Sequence, residues 1–134
     1  DTVRTAQYFK MKVANKAGKC AGALASLHKA KVNLLAFSGF PLKRRAQLDF
    51  VPSDPAAFKT AARRAKLTVR GPKTCFLVEG DDRPGAGARL MAKLADAKVN
   101  VTSLQAVSAG AGRYGAILWV KPGDVKKAAK ALGI

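Results

Sequence analysis

Two short loops carry the residues best suited to holding a small charged ligand: Asn15-Lys16-Ala17-Gly18, and Asp81-Asp82-Arg83-Pro84-Gly85. Each lies between a β-rich run and an amphipathic helix pattern. A helix N-terminus offers N–H groups without intrahelical partners and a partial positive charge, suited to a carboxylate or phosphate. Glycine lets the backbone turn and approach closely at Gly18 and Gly85. Lys16 and Arg83 add a cation to each loop. The same loops are also what a rigid turn into a helix looks like.

Catalysis has little to stand on. His28 is the single histidine, and it follows Leu24 by one helical turn, as a helix-face residue would. Asp81-Asp82 is an adjacent carboxylate pair beside Arg83, but no nucleophile or base accompanies it. Nucleophile-elbow, P-loop and dinucleotide fingerprints do not occur. Cys20 and Cys75 stand alone, without CxxC or histidine at ligand spacing, so neither a metal site nor a cofactor is expected. We read the chain as non-enzymatic.

The elements that must position the loops come in two copies. A shift of 67 residues aligns the halves without gaps: Phe9 falls on Phe76, Gly18 on Gly85, Leu27 on Leu94, and Ala30-Lys31-Val32-Asn33 on Ala97-Lys98-Val99-Asn100. Gly71-Pro72 reads as the break between them, giving expected units of 1–70 and 73–134. In each copy a strand (8–13; 75–78) leads through the loop to a helix with an apolar stripe. Two strands follow (32–40 and 47–51; 99–107 and 116–120), joined by turns at Lys43-Arg44-Arg45 and 108–112. A second helix opens at Ser53-Asp54-Pro55 and at Pro122-Gly123-Asp124. Residues 67–70 supply a fourth strand to the first copy, while the second has a minimal or missing last strand. The fold class is therefore α+β: two ferredoxin-like βαββαβ units, helices on one face of antiparallel sheets.

Composition agrees. The 134 residues are 49% hydrophobic and 25% charged, a globular balance. No apolar run nears the roughly 20 residues of a membrane helix, so no membrane partner is expected. No signal peptide opens the chain, which begins at Asp1 as a trimmed form would. Two lone cysteines fit a reducing cytoplasm. The formal net charge is +17, a footprint common among nucleic-acid binders but equally a solubilising surface.

With the repeat in view, the segment Gly80-Asp81-Asp82-Arg83-Pro84-Gly85, its helix, and Ala97-Lys98-Val99-Asn100-Val101 resembles the ACT domain, a small-molecule-binding regulatory module. The first half is similar to a more diverged copy. The resemblance spans nearly the whole chain and implies a stand-alone tandem ACT protein. It further implies an amino acid held at a unit or subunit interface and allosteric regulation of a partner enzyme; separately, the unpaired strand edges of two such units favour a homodimer. By that resemblance the ligand residues are Asn15, Lys16, Gly18 and Asn33 in the first copy and Asp82, Arg83, Gly85 and Asn100 in the second. Ala17 stands where the family has proline, and Val13 and Gly80 where serine-binding members have histidine.

The RNA-recognition motif shares the topology and is the alternative. It needs exposed aromatics on its first and third strands, for which Phe76 and the run Arg113-Tyr114-Gly115-Ala116-Ile117-Leu118-Trp119-Val120 are a partial match. A ligand-free scaffold for a partner enzyme is a further alternative.

Overall fold

The computed structural model describes all 134 residues. The chain divides into two compact units, Gln7–Lys73 and a second made of Asp1–Ala6 with Thr74–Ile134. Elements run β1 (Thr2–Ala14), α1 (Lys19–Lys29), β2 (Leu34–Leu42), β3 (Arg45–Pro52), α2 (Pro55–Arg64), β4 (Arg70–Asp81), α3 (Ala86–Asp96), β5 (Val101–Gly110), β6 (Arg113–Val120) and α4 (Val125–Ala131). A short 3-10 turn, Pro122–Asp124, precedes α4. No helix is long and apolar enough to cross a membrane.

In the unit Gln7–Lys73, β2 and β1 flank β3 in antiparallel register, with Phe9 opposite Phe50 and Phe37 opposite Phe50 on the other side. Helix α2 lays Phe58 against this aromatic row, its ring 4.7 Å from Phe9 and 5.5 Å from Phe50. Phe9, Phe50, Phe58 and Leu27 are fully buried. Asp54 caps α2, accepting from the Ala57 N–H at 3.1 Å, and Pro55 occupies the first turn, where its missing N–H costs nothing. The hairpin turn is Lys43-Arg44, with Lys43 at φ +58°.

The expected strand over 67–70 starts at Arg70 instead, and β4 runs on through the Gly71–Pro72 pair, whose peptide bond is cis. Residues 66 and 67 are used to stop α2. Lys66 turns left-handed at φ +57°, and Leu67 N–H bonds back to the Ala62 carbonyl at 2.9 Å. Gly71 is required in the strand: at φ +135°, a Cβ there would lie 2.8 Å from the Tyr8 carbonyl oxygen.

The second unit repeats the arrangement, with β6 between β4 and β5. Phe76, Leu94, Leu118 and Ala128 form its buried centre. Asp1–Ala6 belongs to this unit, and Val3 packs on its core. The Asp1 carboxylate accepts from the Tyr114 hydroxyl at 3.1 Å. Gly80 makes room for this contact, because a Cβ there would collide with Asp1 and the Tyr114 ring.

All four helices stop the same way. After α1, Lys31 at φ +59° leaves Val32 N–H bonded to Leu27 O; after α3, Lys98 at φ +58° leaves Val99 bonded to Leu94 O. Lys66 with Leu67, and Gly133 with Ile134, do the same for α2 and α4. This is the Schellman stop, with an apolar residue following the left-handed one. The repeated Ala-Lys-Val-Asn segment is therefore a helix terminus followed by the entry to a strand.

Candidate functional site

In the second unit, α3 and the edge strand β5 enclose a groove of about 260 Å³. Its mouth holds Asp82, Arg83 and Gly85 from the loop after β4, together with Ser108 near the end of β5. Leu90, Leu104, Ala106 and Ala116 give it an apolar floor. Gly85, at φ +88°, turns the chain into α3, which starts without a side-chain cap.

The two adjacent carboxylates are held differently. Asp81 pairs with Arg113 at 2.8 Å on the neighbouring strand. Asp82 anchors through its backbone N–H to the Gly112 carbonyl at 2.9 Å, and its carboxylate accepts from the Ser108 hydroxyl at 2.6 Å. An acceptor, a guanidinium and a helix start thus ring one apolar hollow. That combination can hold an ammonium, a carboxylate and an apolar side chain together.

Of the residues proposed from sequence, Asp82, Arg83 and Gly85 meet in this groove, while Asn100 lies outside it, exposed just before β5. In the other unit Asn15 and Lys16 are exposed in the loop, where Lys16 N–H bonds to Ala14 O at 2.8 Å. Gly18 repeats the φ of Gly85. Asn33 is exposed too, and its carbonyl accepts from Ser53 N–H at 3.0 Å. The 67-residue shift puts Phe37 at the place of Leu104, and Pro41 at the place of Ser108. The first copy therefore has no hydroxyl to reproduce the Asp82–Ser108 bond.

Sequence reasoning missed Ser108, Leu104 and Tyr114. The repeat pointed to loops and strand starts, whereas these residues reach the groove through the β5–β6 hairpin, where Ser108 faces Tyr114. The hairpin composition was visible, but the register that aims Ser108 at Asp82 was not.

The Gln7–Lys73 unit has a different hollow, about 720 Å³, between β1, α1 and residues 66–70. Away from it, Asp49 on β3 is buried between Ser38 and Lys10 in the strand register. Burial pushes its carboxyl above the ordinary aspartate value, opposed by a hydrogen bond from Gln47 and by the Lys10 charge.

The aromatics that base stacking would need are inside. Phe76 is 0% exposed, Tyr114 9% and Trp119 7%, so β4 and β6 offer no open stacking platform.

No family model matches this chain, and no curated protein does. Solved structures do. Protein BT0572 from Bacteroides thetaiotaomicron superposes with a TM-score of 0.83 at 18% identity, over 97% of this chain and 88% of that one. The regulatory subunit of aspartate kinase from Thermus thermophilus, in a ligand-free form, gives 0.66 at 14% identity, over 98% and 95%. The corresponding subunit from Thermus flavus gives 0.58 at 15%, over 98% and 93%. The fold is of the ACT-like, ferredoxin-type kind seen in such regulatory subunits.

Proposed function

We propose that this protein is a non-catalytic regulatory module of two ACT-type units that binds a free amino acid in the groove at the start of α3. The observation that carries the reading is Asp82, held by Ser108, facing the same apolar hollow as Arg83 and the α3 N-terminus. In this reading Asp82 takes the ligand's ammonium, Arg83 and the helix start take its carboxylate, and the floor takes its side chain. A volume near 260 Å³ is small beside the roughly 300–1,000 Å³ pockets of drug-sized ligands, and suits an amino acid. The likeness to aspartate kinase regulatory subunits supports the same reading. In the first copy Asn15, Lys16, Gly18 and Asn33 would form a weaker counterpart, and Asn100 would close on the second from the strand start.

Binding would tie the loop after β4 to the β5–β6 hairpin and shift the population toward the form a partner enzyme recognises. We also infer a homodimer. The edge strand β2 exposes Leu35, Phe37, Phe40 and Leu42, and an apolar strand edge favours pairing with another. Light scattering on Phe40→Lys against the parent chain tests this, a monomer mass for the parent overturning it.

The deciding experiment is a thermal-shift screen against the proteinogenic amino acids at physiological salt. A ligand that binds the folded state alone stabilises it by about 2.7 kcal/mol at a hundredfold excess over its Kd. A rise selective for one amino acid or side-chain class is expected. A flat panel overturns the assignment.

A further inference from the structure

We propose a second, separate binding site in the Gln7–Lys73 unit, for a small ligand bearing two or more phosphate groups. The hollow between β1, α1 and residues 66–70 holds about 720 Å³, within the roughly 300–1,000 Å³ of small-molecule pockets. Lys10, Lys12, Lys19, Arg45, Lys66 and Arg70 line it, and no carboxylate does.

Most of this charge is uncompensated, for a reason visible in the sequence. Residues 7–73 contain 15 basic and 2 acidic side chains. Asp54 caps α2, and Asp49, buried within β3, faces Lys10 in the strand register, which leaves the other five cations without a carboxylate in the hollow. None of the six cations makes a salt bridge; those of the molecule belong to Arg113 in the other unit. Like charges around one concavity repel, and a concave low-dielectric wall focuses their field onto an entering anion.

The donor set suits phosphate. Arg45 donates one N–H to the Lys12 carbonyl at 3.3 Å, leaving its other N–H groups for a forked contact. Arg70 offers a second fork, and the lysines offer mobile point charges. A zwitterionic amino acid would leave nearly all this charge unmatched, whereas a di- or triphosphate neutralises several cations at once. Met11, Val13, Ala23 and Leu67 supply an apolar wall for the rest of a ligand. No aromatic side chain lines the hollow, so a single nucleic-acid strand would find no base-stacking surface there. The site shares Gly18 with the loop before α1 but none of Asn15, Lys16 and Asn33, and the groove beside α3 lies in the other unit, so it stands independently of the amino-acid reading.

The test is isothermal titration of the intact protein with inorganic triphosphate at 150 mM salt, on the order of physiological ionic strength. Orthophosphate, citrate and a ten-nucleotide RNA are titrated in parallel. Binding of one triphosphate per chain is expected, tighter than orthophosphate or citrate. Lys12→Gln and Arg70→Gln, each checked for an unchanged melting profile, should weaken it about tenfold, the loss of one charge-assisted hydrogen bond. The double variant Lys126→Gln, Lys127→Gln on α4 should leave it unchanged. Equal loss in that control variant, citrate binding as tightly as triphosphate, or no heat beyond that of matched chloride overturns the proposal. So does RNA binding more tightly than triphosphate with the same dependence on Lys12 and Arg70. An amino-acid response in the thermal screen is unaffected by any of these outcomes.

Discussion

The Ser108 hydroxyl donates to Oδ2 of Asp82 across 2.6 Å, joining the end of β5 to the loop that opens α3. Because Arg113 already holds Asp81 at 2.8 Å, the neighbouring carboxylates divide their work: Asp81 stays with the sheet and Asp82 turns to the groove.

Asp82→Ala should weaken amino-acid binding about tenfold or more, since it removes the one carboxylate at the groove mouth. Ser108→Ala should weaken it less, by freeing Asp82 to rotate. Asn100→Ala, altering an exposed residue outside the groove, should have a smaller effect than Asp82→Ala. Titration of the three variants with the amino acid from the screen checks the order.

Lys31 and Lys98 hold left-handed backbone angles that suit glycine better. Lys31→Gly and Lys98→Gly should each stabilise the protein by about 0.5–1 kcal/mol, the steric relief exceeding the extra freedom given to the unfolded chain. Urea unfolding reads the gain. A loss at both sites would mean that the lysine side chains contribute more than the strain they incur.

Deleting residues 1–6 should destabilise the second unit by on the order of 2 kcal/mol, through lost burial of Val3 and lost strand hydrogen bonds. Gly80→Ala should act in the same direction by expelling Asp1 from Tyr114. Trp119, the single tryptophan, lies in that unit and reports its unfolding by fluorescence.

Asp49 sets a pH dependence of definite sign. Its folded-state pKa is raised above 3.8, so the folded state binds more protons than the unfolded one just above that value. Its contribution to stability is therefore greatest below the unfolded pKa and falls as pH rises through the folded one. Asp49→Asn keeps an acceptor for Gln47 and removes the charge. The parent chain should lose stability relative to Asp49→Asn as pH rises from about 3.5 to 7, followed by chemical unfolding at each pH.

Much of the fold was legible because it rests on local rules. The apolar stripes of α1 and α3, the Asp54-Pro55 start of α2 and the 67-residue repeat are written in neighbouring residues. So were the loops that reach the groove, down to Asp82, Arg83 and Gly85. What the tertiary structure decided lies in pairings between distant positions. That Thr2–Ala6 joins the second unit depends on Val3 meeting that unit's core and on Asp1 meeting a tyrosine 113 positions along the chain. That β3 is buried on both faces from Leu48 to Pro52 escapes a period-two reading of one strand, because burial belongs to whatever packs on each side. The pairing of Ser108 with Asp82 needs the β5–β6 register, and the cationic hollow needs β1, α1 and residues 66–70 to converge. Charge and periodicity are properties of a chain; which charges share a hollow is set by packing alone.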